Sequence, residues 1–267
     1  MKKLEINKAQ IALRFAQAGQ SYTQHAVVQQ QIAQQLFQLI QQYLPEKKVN
    51  RAFEIGCGSG NLSHQLMEQL SINTLILNDL YPEIQQHFLR HNNQSHQRFP
   101  YLQWLMGDVE QLEFPQSLDL IASSSALQWI NDLEAVFEKA LQRLNPQGYL
   151  CFSTFGQQNL QEIKALTGQG LDYLSIEDLQ EKLLNNGFEI LHLSEHLESL
   201  SFDHPKQILQ HLKATGVTAT ASNFRWTKQT LTDFYQNYQQ FLTHDASGET
   251  LYRLTYHPIY CIARRKP

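Results

Sequence analysis

An α/β fold is what the sequence predicts: a doubly wound, mostly parallel seven-stranded sheet, with N-terminal helices ahead of it and a helical cap inserted before the last strand. Three observations carry that expectation. From Asn50 onward short apolar runs alternate with helical segments, the pattern of a parallel sheet with crossover helices. The first of those runs ends in a glycine-rich turn, Gly56-Cys57-Gly58-Ser59-Gly60, that opens a helix, a turn in which glycine lets the backbone bend sharply and a ligand come close. Helical spacing precedes the alternation and returns before the final strand.

A first helix is expected around Ala9 to Ala18, capped by Asn7, with Gly19 and Ser21 as the break after it. In the glutamine-rich stretch that follows, Val28, Ile32, Leu36, Leu39, Ile40 and Tyr43 recur at helical spacing. The glutamines are therefore the solvated face of an amphipathic helix, which Pro45 ends. Then come RAFEIG and a helix from about Asn61; NTLILND and a helix after Pro82; YLQWLMGD; and SLDLIASS with a helix from about Asn131. After the turn NPQG, YLCFSTF reads as a fifth strand, Ser175 with Asp178 three residues on opens a helix, and GFEILHLSEHLESLSF reads as a sixth strand. Between Asp203 and Gly248, PKQILQHLKATG and TKQTLTDFYQNYQQFL flank the loop VTATASNFRW and form the cap. ETLYRLTYHPIYCIARR is the last strand, with Pro258 pointing to an edge or a bulge. The whole is one domain: N-terminal helices over 1–49, a core over 50–202, the cap over 203–248, and the last strand and tail over 249–267.

The 267 residues are 42% hydrophobic and 17% charged, which excludes disordered and collagen-like chains. With 21 basic against 25 acidic side chains the formal net charge is −4, a field that does not favour nucleic acid. Cys57, Cys151 and Cys261 are too scattered for a disulfide framework and have no C-x-x-C partner for zinc. The N-terminus lacks a signal-peptide apolar run and no stretch reaches membrane-spanning length. A soluble, cytoplasmic protein is expected. His87 and His91 stand at i and i+4 on a helix, but no third ligand completes a motif, so no metal is expected.

The glycine turn reads G-x-G-x-G, with Asn61 where the third glycine of a dinucleotide fingerprint would stand. Glu54, two positions before the first glycine, would repel a phosphate and suit a cationic ligand. E-x-G-x-G-x-G on such a turn resembles motif I of class I S-adenosylmethionine-dependent methyltransferases, whose sheet is Rossmann-like. Asp79 closes the second strand about 20 residues past the glycine loop, where a carboxylate can accept both ribose hydroxyls. Gly107-Asp108 closes the third; in the family such an aspartate faces the adenine amino group. Asp119 to Trp129 resembles the fourth-strand motif, with Ser124 where the family often has asparagine, and Leu144-Asn-Pro-Gln-Gly148 resembles the turn before the fifth strand. The resemblance implies S-adenosyl-L-methionine as cofactor, held by Arg14, Tyr22, Gln29, Glu54, Gly56, Gly58, Gly60, Asp79, Leu80, Asp108, Val109 and Ser124.

A narrower resemblance covers nearly the whole chain. Arg14-Phe15, Ser21-Tyr22, Ala26 to Gln29, Leu212 to Gly216 with Arg225 following, and Leu254 to His257 are similar to the malonyl-acyl-carrier-protein O-methyltransferases of biotin synthesis. The implied reaction methylates the free carboxylate of a malonyl thioester on acyl carrier protein, the step that starts biotin (pimeloyl) synthesis. A carboxylate is already ionised near neutral pH, so the site needs positioning, exclusion of water and a donor for one oxygen rather than a general base. Arg225 and Tyr22 are the expected catalytic residues, Arg225 because a guanidinium matches two carboxylate oxygens, Tyr22 at the transferred methyl. Trp129 is expected to pack beneath the cofactor or the acceptor tunnel.

The acidic carrier should dock transiently on local basic groups, for which Lys206, Lys213, Lys228, Arg264 and Arg265 are the candidates. Two other readings stay open: methylation of another small acceptor, a quinone precursor or a free acid such as aconitate, and a non-catalytic cofactor-binding protein. A nucleic-acid methyltransferase is disfavoured by the charge and by the lack of an N-P-P-Y type motif after the fourth strand.

Overall fold

The computed structural model describes residues 8, 11, 26–90, 102–216, 226–244 and 247–267, apart from the side chains of 87, 89 and 90. The first predicted helix, apart from Ile11, lies outside the described residues, as do its cap Asn7 and also His91. Among the described residues the chain opens with α1 (Val27–Tyr43). Val28, Ile32, Leu36 and Ile40 are buried, and Gln30, Gln31, Gln34, Gln35 and Gln38 face solvent.

The core then alternates as expected: β1 (Lys48–Glu54), α2 (Ser63–Gln69), β2 (Ser71–Leu77), α3 (Ile84–Arg90), β3 (Leu102–Trp104), β4 (Leu118–Ser124), α4 (Leu133–Arg143) and β5 (Leu144–Phe155). Asp132 caps α4 by accepting from the Ala135 amide at 3.0 Å. A further helix that the sequence pattern did not reveal, α5 (Gln161–Thr167), follows β5 and leads to α6 (Ile176–Asn185). The Ser175–Asp178 capping box at the start of α6 makes both of its bonds, at 3.0 and 3.1 Å. Asn145 to Gly148 is not a turn ahead of β5 but an outward bulge in its ladder, the register jumping from Leu118↔Leu144 to Leu120↔Tyr149.

Two long apolar runs divide where the sequence reads each as one strand. The sixth becomes β6 (Phe188–Glu195) and β7 (Glu198–Phe202). The last becomes β9 (Thr250–Tyr256) and β10 (Pro258–Arg265). Between them lie α7 (Pro205–Ala214), α8 (Lys228–Asn237) and β8 (Leu242–His244). The seven-stranded sheet has the order β3-β2-β1-β4-β5-β10-β6, and β7-β9-β8 form a second, antiparallel sheet. The inserted region is therefore not purely helical, as expected from sequence, but carries its own small sheet. Nor is the last strand an edge: β10 runs antiparallel between β5 and β6, and its irregularity falls at Ile262/Ala263 rather than at Pro258. Proline is tolerated because it is the first residue of the strand, where no ladder donor is required of it. His257 forms the corner, its Nδ1 accepting from the Gln158 amide at 3.1 Å and its Nε2 lying 3.0 Å from Glu195 Oε2.

Glu162 ties the small sheet to the core. Its fully buried carboxylate accepts from the Thr255 amide at 3.0 Å and the Thr255 hydroxyl at 2.5 Å, and Arg253 Nε lies 3.6 Å away. Glu162→Ala strands the Thr255 amide and should cost roughly 1–3 kcal/mol. Urea unfolding would show this as a lower midpoint at unchanged slope; a wild-type midpoint would mean the bonds carry no net stability.

Candidate active site

The strand order reverses between β1 and β4, and in open α/β sheets ligands bind at such a point, beyond the carboxyl ends of the strands. A cavity lies there, walled by the ends of β1, β2 and β4 and by the segment after β3. Gly56, Gly58, Leu80, Val109 and Ser124 line it together with the acids Glu54, Asp79 and Asp108, and Gln29 reaches it from α1. The structure thus gathers nine predicted residues that are separated by up to 95 positions in the chain.

Gly60 does not line the cavity. Its φ is +94°, and a Cβ there would stand 2.5 Å from the His64 ring and 2.7 Å from Phe88, so both the backbone conformation and the packing of α2 and α3 call for glycine. Arg14, Tyr22 and Arg225 lie outside the described residues.

Parallel pairing of β1 with β2 brings Glu54 and Asp79 to the same end of the sheet. Asp79 accepts from the Gly58 amide at 2.9 Å through Oδ2 and from the Tyr81 amide at 3.0 Å through Oδ1. The aspartate therefore braces the glycine loop. Burial raises its carboxyl above the usual range even against these amide bonds. Glu54 is more extreme: burial pushes its carboxyl up to about 8, opposed by the neighbouring Ser63 hydroxyl and reinforced by the charge of Asp79.

Several wall residues carry no signal in the sequence. Asn78 donates to the carbonyls of Leu105 (2.7 Å) and Gly107 (3.0 Å), holding the β3 end beside the β2 end. Lys8 and Ile11 reach the wall from the N-terminal segment, and Lys8 Nζ pairs with Asp108 at 2.5 Å and with Glu110. Nothing in the spacing of an N-terminal lysine distinguishes it from a solvated one. Tyr81, Ser125, Ala126 and Ile130 complete the side between β2 and α4, together with Trp129, which the sequence did single out.

The basic groups expected to meet the carrier fall on different elements, the arginines on β10 and the lysines on α7 and α8. Arg264 forks onto Glu189 Oε2 at 2.6 and 3.0 Å, and Arg265 donates to the Leu144 carbonyl. Because β10 is antiparallel to β5, both arginines stand at the start of β5, the opposite end of the sheet from the cavity. Lys206, Lys213 and Lys228 are exposed on α7 and α8. Cys57, Cys151 and Cys261 are buried and unpaired. Among the described residues no helix is long and apolar enough to cross a membrane.

Comparison with known proteins agrees with this geometry. Residues 28–193 match the family described as methyltransferase domain. The chain is 46% identical over 264 residues to the malonyl-[acyl-carrier protein] O-methyltransferase of Acinetobacter baylyi, covering 98% of both. It is 42% identical over 262 residues to a protein of that name from Bacteroides fragilis, with 97% of this chain spanning about half (51%) of that one. A crystal structure described as a putative methyltransferase from Bacillus halodurans superposes with a TM-score of 0.63 at 14% identity, covering 87% of this chain and 99% of that one, which concerns the fold alone. The chain belongs to the methyltransferase-domain family and, within it, to the malonyl-[acyl-carrier protein] O-methyltransferases.

Proposed function

We propose that this protein methylates the free carboxylate of a malonyl thioester carried on acyl carrier protein, using S-adenosyl-L-methionine, and so supplies the methyl ester that starts biotin (pimeloyl) synthesis. The observation that carries the cofactor assignment is the Glu54 carboxyl, buried on the cavity wall with no cation beside it among the described residues. The rest of the donor set fits the same group: Gln29 Oε1 is buried without a partner, and a Cβ built at Gly58 would enter open space. Acids suit a ligand bearing ammonium and sulfonium charges. When bound, the cofactor supplies an electrophilic methyl that leaves with the sulfur–carbon bond broken and the sulfur neutral.

This chain's residues bind and orient. Glu54 and Gln29 take the amino-acid end, Asp79 and Leu80 the ribose, Asp108 and Val109 the base, with Gly56, Gly58 and Ser124 shaping the wall and Arg14 supporting it. Tyr22 closes the pocket at the transferred methyl. Arg225 holds one carboxylate oxygen while the other attacks, and no proton has to move because a carboxylate becomes a neutral ester. Lys206, Lys213 and Lys228 offer the acidic carrier a transient, salt-sensitive docking surface on α7 and α8.

Transfer of labelled methyl to malonyl carrier protein, with acetyl carrier protein and free malonate in parallel, tests the acceptor. Base-labile label on the malonyl carrier protein alone is expected. Tight cofactor binding with no label on any of the three would redirect the search to quinone-type and free-acid acceptors.

Glu54 adds a pH signature. With its carboxyl at about 8 it is protonated at neutral pH, and a cation beside it favours the ionised form. Cofactor binding should release a proton below about pH 8 and tighten as pH rises toward that value, approaching tenfold per pH unit. Calorimetric titration in two buffers of different ionisation enthalpy counts the proton. Glu54→Gln should remove the dependence, and a pH-independent Kd in the wild type would rule out this role.

A further inference from the structure

Ser125 is one of four non-glycine residues among those described with positive φ (+54°), at the turn that ends β4. A left-handed serine costs about 1–2 kcal/mol, and such strain persists only where the surroundings over-determine it. Here they do. The Ser125 amide donates to the Ser153 carbonyl (3.2 Å) and to Ser153 Oγ (3.1 Å), and its own carbonyl accepts from Gln128 Nε2 at 2.6 Å. The result is a turn pressed against the glycine loop, with Ser125, Ala126 and Trp129 on the cavity wall.

Glycine would make this turn without strain. Serine instead retains a hydroxyl, and that Oγ is buried with no partner, whereas the neighbouring Ser124 hydroxyl is engaged with Ser153 Oγ at 3.3 Å. Leaving a buried hydroxyl unpaired costs free energy that a ligand can recover. The three acids of the wall, Glu54, Asp79 and Asp108, suit the cationic cofactor and, when ionised, repel an incoming carboxylate. The anion therefore needs donors set apart from them. Ser59 has the other buried, unpartnered hydroxyl on the described wall, and it belongs to the glycine loop that faces the cofactor.

We propose that the Ser125 hydroxyl donates a hydrogen bond to the acceptor carboxylate. This rests on the acceptor reading above. Ser125→Gly and Ser125→Ala both remove the hydroxyl, and the glycine variant also relieves the strain, so folding is safeguarded. Both should lower kcat/KM for malonyl carrier protein by roughly 10- to 100-fold, as expected for one hydrogen bond to a charged group. Cofactor Kd should stay within about twofold, and inhibition by acetyl carrier protein, which lacks the carboxylate, should be unchanged. Wild-type kcat/KM in both variants would overturn the proposal, and so would a parallel loss of cofactor affinity. Wild-type enzyme that binds cofactor yet leaves malonyl carrier protein unmethylated would overturn the acceptor reading itself and this inference with it.

Discussion

Gly56→Ala should weaken cofactor binding by about 100-fold or more and destabilise the fold by roughly 2–5 kcal/mol. The residue has φ +69°, and a Cβ built on it would lie 2.4 Å from the Ala126 Cβ. Neither side can give easily. The neighbouring Ile55 and Cys57 amides are bonded to the Ala122 carbonyl (2.9 Å) and the Asn78 carbonyl (2.8 Å), and Ala126 sits on the braced turn after β4. The loop that must shift is the one whose Gly58 amide meets Asp79, so the binding wall moves with it. Isothermal titration and urea unfolding read the two effects. The double variant Gly56→Ala with Ala126→Gly removes the collision and leaves the φ penalty, so it should recover part of the stability. Cofactor affinity equal to wild type in Gly56→Ala would show that the close approach has no functional weight.

Arg225→Ala should cut kcat/KM for malonyl carrier protein by about 100- to 1,000-fold, with cofactor affinity unchanged. A carboxylate taken into a site that excludes water loses its hydration, and removing its partner from such a pair costs about 3–5 kcal/mol. Arg225→Lys keeps the charge but not the planar fork, so only part of the rate should return. Equal turnover in wild type and Arg225→Ala would transfer the role to another donor, and a matching loss of cofactor affinity would place Arg225 on the cofactor instead.

How much of the site was legible depended on whether the signal was local. Glu54 ends β1, the glycine loop follows it, and Asp79 and Asp108 stand two and four residues past β2 and β3; parallel strands in one sheet carry all their carboxyl ends to one side. Their convergence follows once the strands are recognised. Gln29 differs: it is one of many glutamines in α1, and only packing makes it a buried one on the cavity wall. Gly60 stands in the motif like its two companions, yet it answers to His64 and Phe88. Lys8, Asn78 and Ser125 bear on the wall through partners 100, 27 to 29 and 28 positions away, which no local pattern encodes.

The α/β alternation, the glycine loop with its acids, the capping box of α6 and the amphipathic face of α1 are legible without coordinates, because they depend on periodicity and on side chains bonding their near neighbours. Long-range packing placed β10 inside the sheet, divided each of the two long apolar runs between two sheets, and put Arg264 and Arg265 at the end of the sheet away from the cavity. An apolar alternation specifies which face of a strand is buried, but not which strand takes up its backbone donors and acceptors. That choice is made by partners distant in the chain, and here it sets both the bend at His257 and the turn that presents Ser125.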